Sequence, residues 1–168
     1  NPTDPYWSEG YWGNLKEIPA KVKIPVLLQG SWFDIFLQPQ LKGFRRLPEE
    51  VRKQSRFFIG PWTHIGFKTG DVKLPNGGAG SFLFASQALE WFEYQLKGKP
   101  YPHKLGVVDA YQVNSGEWLE YEGDLNPTSE QCFFLAENGT LESECPTRTG
   151  SERDVYDPQK PVPTICGN

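Results

Sequence analysis

Ile24-Pro25-Val26-Leu27-Leu28-Gln29-Gly30 and Arg56-Phe57-Phe58-Ile59-Gly60 decide the fold. Each is a short apolar run closed by glycine, the look of a strand buried on both faces in a parallel sheet. Pro25 sits among the first residues of its run, where a missing N–H does least harm. Between the two runs, Leu41, Phe44, Leu47 and Val51 recur at spacings of three and four. That spacing predicts an amphipathic helix over 40–55, which Pro48 must kink or divide. Strand, helix, strand over 24–60 reads as one right-handed βαβ unit.

Outward from this unit the pattern changes twice. Residues 1–20 are rich in proline and aromatics and show no clear period, which predicts an irregular lead-in with one helical turn. Residues 66–80 are glycine-rich and read as a loop. From Ser81 to Lys97, Phe84, Ala88, Leu89, Trp91, Phe92 and Leu96 keep a helical period, and Gly98 with Pro100 supplies a stop signal. Beyond Pro102 the runs Val107–Val113 and Cys132–Leu135 are strand-like and are separated by Asn114-Ser115-Gly116, Gly123-Asp124 and Asn126-Pro127. This is an all-β pattern, and it predicts a domain boundary near Lys99–Lys104, dividing 1–104 from 105–168. Asn138-Gly139 reads as a hairpin turn.

Composition limits the function. The chain has 168 residues, 38% hydrophobic and 23% charged, with a net charge of −4. That is the make-up of a soluble globular protein. It argues against a nucleic-acid partner, which calls for a basic patch. No apolar run approaches the roughly 20 residues that span a bilayer, so no membrane partner is expected. Cys132, Cys145 and Cys166 lie far from His64 and His103 in sequence and have no zinc-ligand spacing. No zinc site is therefore expected, and the chemistry read below needs no metal or organic cofactor. Three cysteines fit one disulfide plus a thiol as well as three thiols, which leaves a cytoplasmic or a secreted location open. The chain contains no methionine, and a fragment, a processed subunit or a trimmed piece is expected.

In an α/β sheet, functional side chains sit just past the carboxyl ends of the strands. Two titratable residues hold that position: Asp34 in Gly30-Ser31-Trp32-Phe33-Asp34 and His64 in Gly60-Pro61-Trp62-Thr63-His64. If the strands are neighbours, Asp34 can accept from one ring nitrogen of His64 while the other takes a proton from a nucleophile. Trp32, Phe33 and Trp62, together with Phe36, flank the pair and are candidates to line an acyl or aromatic pocket, with packing as the competing role. His103, beside Pro102, reads as exposed, and Glu90, Glu93 and Lys97 read as a solvated helix face.

The motifs as a set resemble a known family. Ile24–Asp34 is similar to the "vPvL…GWyD" block, and Phe58–His64 to the "viGPWtH" block, of the cocaine esterase/NonD hydrolases, the X-prolyl dipeptidyl aminopeptidase-like acyl esterases of the α/β-hydrolase fold. Asp4-Pro5-Tyr6-Trp7, Ala88–Gly98, and Tyr156-Asp157-Pro158 with Pro161–Thr164 resemble three further blocks in the family's order. The resemblance implies an α/β fold: the C-terminal part of an α/β-hydrolase parallel sheet followed by the start of a jelly-roll β-sandwich domain. It also implies that Asp34 and His64 are the second and third members of a Ser-Asp-His triad, in the chain order of α/β-hydrolases. Ser31 stands where the family usually has Gly, and Phe33 where it often has Tyr.

One family feature is absent. No Gly-x-Ser-x-Gly elbow occurs in the 168 residues. Ser31 and Ser81 are not flanked as an elbow requires, so the nucleophile and oxyanion hole are expected upstream of Asn1. The expected function is part of a serine hydrolase that cleaves a small-molecule ester or amide through an acyl-enzyme, with this chain inactive alone. The competing expectation is an aromatic-rich, non-catalytic binding module or pseudoenzyme subunit. A sheet cut in this way exposes an edge and an apolar face, so self-association into a homo-oligomer is also expected.

Overall fold

A computed structural model describes residues 3–64, 80–113, 115–125, 129–151 and 153–163; for 11, 12, 80–82 and 138 it describes the backbone alone. The lead-in holds two short helices, α1 (Pro5–Ser8) and α2 (Gly10–Leu15), and a 3₁₀ turn at Pro19–Lys21. Asp4 caps α1 by accepting the Tyr6 N–H at 2.9 Å, and Pro5 opens the helix where its lost donor is harmless.

β1 (Leu27–Phe33) and β2 (Arg56–Thr63) pair in parallel, and α3 (Leu37–Arg46) and α4 (Glu49–Arg52) lie between them in the chain. The expected helix is thus divided at Leu47-Pro48, since proline lacks the N–H and crowds the preceding turn. β1 runs three residues later than the expected Ile24–Gly30. Gly30 does not end the strand: a Cβ there would lie 2.3 Å from Gln40 Oε1 and 3.2 Å from Phe57, so glycine serves a close approach of α3 and β2. α5 (Gly80–Lys97) then leads to β3 (Val107–Gln112), which is parallel to β2, and β4 (Glu117–Glu122) returns antiparallel to β3. The sheet order is β1-β2-β3-β4.

Strand β2 is buried along its whole length because it is covered twice. On one face Leu37, Leu41, Phe44, Leu47 and Val51 pack against Phe57, Ile59, Val108 and Ala110. On the other, Phe58 meets Phe84 of α5 edge-on at 5.8 Å and stacks on Trp118 of β4 at 4.3 Å. Alternate residues of β2 therefore serve opposite layers, and every residue of the strand is buried.

The compact units part after residue 125, not near Lys99–Lys104: one holds 1–125 and the other 126–163. Gly98, Pro100 and Pro102 stop a helix, but Val107 pairs with Arg56, and the sheet continues through β3 and β4. In the second unit β5 (Phe134–Ala136) and β6 (Thr140–Glu142) form an antiparallel hairpin around a 3₁₀ turn at Glu137–Gly139, where Gly139 takes φ +67°. The hairpin lies where Asn138-Gly139 predicted it. Cys132 and Cys145 are unpaired and exposed; Cys166 and the loop expected at 66–80, apart from Gly80, lie outside the described residues. Among the described residues, no helix is long and apolar enough to cross a membrane, and no three His, Cys, Asp or Glu side chains are grouped to hold a metal.

Candidate active site

Asp34 and His64 meet because the two parallel strands end together. Ser31 pairs with Gly60, but Phe33 pairs with Thr63, so β2 carries one residue more than β1 over this step. This is a one-residue bulge over Pro61-Trp62, where Pro61 has no N–H to give the ladder. With an unbroken register Thr63 would face Asp34. The bulge instead makes His64 the residue that follows β2 where Asp34 follows β1.

Trp62 shows what the bulge costs in packing. Its ring folds back across Gly60, where a Cβ would lie 1.8 Å from the indole carbons. It is 1% exposed and packs near Phe58, Phe84 and Trp118. Trp62 is therefore an interior side chain here, because the strand bearing it is covered on both faces. Trp32 is half-buried against the α3-side core, and its indole N–H donates to Tyr111 O at 2.6 Å, which also gives it a packing role. Phe33 is half-buried in the last position of β1.

His64 Nδ1 lies 3.2 Å from Asp34 Oδ1. The Asp34 side chain is 12% exposed and the His64 side chain 47%. The carboxylate is thus shielded, and the imidazole is the member that solvent and a reactant can reach. A carboxylate only accepts, so the contact places the ring hydrogen on Nδ1 and the basic lone pair on Nε2. Asp34 is held by its turn: its N–H donates to Ser31 O at 3.1 Å, its carbonyl accepts from Leu37 N at 3.1 Å, and its Oδ1 accepts from Phe36 N at 2.7 Å. Phe36, flagged from sequence only as a flanking aromatic, meets the His64 ring edge-on with centroids 5.0 Å apart.

The second histidine sits elsewhere on the sheet. His103 precedes β3, beside the starts of the parallel strands, and its Nε2 lies 2.8 Å from Glu90 Oε2. Tyr101 meets it edge-on and stacks on Tyr94. Burial pushes the Tyr101 hydroxyl above its ordinary value. Deeper in, Arg56 donates to Asp109 Oδ2 at 2.5 Å and to Lys104 O at 3.0 Å. Burial pushes the Asp109 carboxyl up, outweighing the lowering by Arg56. Sequence spacing missed this pair, since Arg56 and Asp109 are 53 residues apart and sit on different strands.

Similarity to known proteins agrees with the motifs. Residues 1–66 match the family model described as X-Pro dipeptidyl-peptidase (S15 family). The chain is 23% identical over 158 residues to the cocaine esterase of Rhodococcus sp. (strain MB1 Bresler), covering 85% of this chain and 27% of that protein. A crystal structure of an aminopeptidase from a marine sediment archaeon, Thaumarchaeota archaeon, superposes with a TM-score of 0.69 at 24% identity, over 95% of this chain and 29% of that one. The chain thus spans less than a third of the length of either protein. Its mixed α/β fold is that of the matching aminopeptidase segment, and its first 66 residues are similar to the X-Pro dipeptidyl-peptidase family model.

Proposed function

We propose that this chain supplies the acid–base half of a serine hydrolase that cleaves esters or amides. The observation that carries the reading is the 3.2 Å contact between His64 Nδ1 and the shielded Asp34 carboxylate, at the carboxyl ends of adjacent parallel strands. In the full protein a serine outside this chain attacks the substrate carbonyl while His64 Nε2 takes its proton. The tetrahedral intermediate collapses, His64 returns the proton to the leaving group, and an acyl-enzyme remains. Water then adds with the same proton traffic and frees the acid. Asp34 stays ionised and stabilises the imidazolium in both halves. The hairpin unit 126–163 is the start of a jelly-roll β-domain in this reading.

The test is hydrolysis by the longer polypeptide that contains this chain and its upstream residues. Activated acyl esters and X-Pro anilides are offered to the wild type, Asp34→Asn and His64→Ala. Turnover by the wild type that both variants lose is expected. Turnover that survives in either variant removes Asp34 and His64 from the mechanism.

A further inference from the structure

The turn that holds Asp34 also holds Phe36, which no step of the proposed mechanism uses. Phe36 is the residue before α3, with φ −97° and ψ 1°, and its carbonyl accepts the Gln40 N–H at 3.1 Å. The helix start therefore fixes its backbone. Its own N–H donates to Asp34 Oδ1 at 2.7 Å, closing an Asx-turn. This is the same oxygen that His64 Nδ1 approaches at 3.2 Å. A carboxylate oxygen accommodates two donors, and the amide bond fixes the side from which the second must come.

The side chain completes the arrangement. The Phe36 and His64 rings lie 5.0 Å apart at an interplanar angle of 71°, the edge-to-face geometry that aromatic pairs favour. Phe36 is 49% exposed, so its ring does little for the core. A half-exposed imidazole has a broad, two-fold choice of ring orientation about Cβ–Cγ, and a flip would turn carbon instead of Nδ1 toward Asp34.

We propose that Phe36 is a positioning residue for His64. Its amide sets the Asp34 oxygen, and its ring holds the imidazole plane so that Nδ1 stays on that oxygen. This rests on reading Asp34 and His64 as the acid–base pair, and the test separates the two. The chain has two histidines, so long-range proton–nitrogen correlation on the ¹⁵N-labelled chain reads the neutral tautomer of each.

In the wild type His64 is expected in the Nδ1–H form. Phe36→Ala should lower its ratio of Nδ1–H to Nε2–H about three- to tenfold, the equilibrium equivalent of one aromatic pair. Phe36→Tyr should restore it. Phe36→Leu keeps the amide and most of the bulk without a ring, should behave as Ala does, and serves where Ala does not fold. His103 should not move in any of them, which separates the effect from a general loss of structure. An Asp34-dependent Nδ1–H form that is the same in Phe36→Ala and Phe36→Leu overturns the proposal alone. A wild-type His64 with no excess of Nδ1–H, unaltered by Asp34→Asn, overturns the acid–base reading and the proposal with it.

Discussion

The two histidines of this chain make the same kind of contact for different ends. His64 meets a carboxylate through Nδ1, His103 through Nε2. Asp34 is shielded and tied by its turn, whereas Glu90 is 44% exposed on a helix face. His64 follows a strand's carboxyl end, and His103 precedes a strand. A shielded, pre-oriented carboxylate on Nδ1 leaves Nε2 as a directed base. An exposed one on Nε2 makes a surface ion pair that water and salt weaken. A histidine beside an acid is therefore not evidence of chemistry; which nitrogen, how buried the acid and which strand end decide it.

The largest effect should separate the pairs outright. In the polypeptide that includes the nucleophile, Asp34→Asn is expected to lower turnover by about 10⁴-fold, since it favours the wrong tautomer. Glu90→Gln should leave turnover unchanged. Equal losses in steady-state hydrolysis would break the distinction.

The next effect belongs to the buried ion pair near His103. Arg56→Met should cost about 3–5 kcal/mol in denaturant unfolding at neutral pH, because it strands the Asp109 charge. The Arg56 and Asp109 side chains are 3% and 10% exposed. Burial raises the folded-state pKa of Asp109 above the ordinary value of 3.8. The folded state then binds that proton more readily than the unfolded chain. The stability linked to it is full below the ordinary value and lost as pH rises through the folded one. The penalty of Arg56→Met should accordingly shrink on acidification, and Arg56→Met with Asp109→Leu should recover most of it. A penalty that grows as pH falls would contradict the sign.

Gly60→Ala tests whether the bulge feeds the site. The added methyl must displace the buried Trp62 ring, a cost of about 1–3 kcal/mol. Thermal unfolding should show the loss, and the His64 resonances should move while those of His103 stay. The smallest effect is His103→Ala, at no more than about 1 kcal/mol and diminished by salt. A larger, salt-insensitive loss would mean that His103 is built into the core.

The frame of the fold was legible because it is written in local period. The runs at 24–30 and 56–60 and the Leu41, Phe44, Leu47, Val51 stripe mark two strands, the first of them set three residues too early, and the helix between them. What was not legible depends on distant approach. Gly30 and Gly60 read as strand ends, yet each is small because a side chain from elsewhere, or two residues on, occupies its space. The prolines after α5 look like a linker, but β3 pairs with a strand some fifty residues earlier. Asp34 and His64 were readable from their place after the strands. Phe36 was readable only as an aromatic, because nothing in its spacing tells that it touches residue 64.

The most direct check of the difference between the pairs is one nitrogen spectrum of the wild-type chain, taken at a pH raised until both histidines are neutral. The account predicts opposite tautomers: hydrogen on Nδ1 in His64 and on Nε2 in His103. Hydrogen on Nε2 in both would mean that Asp34 does not orient His64, and would contradict the assignment of this pair to catalysis.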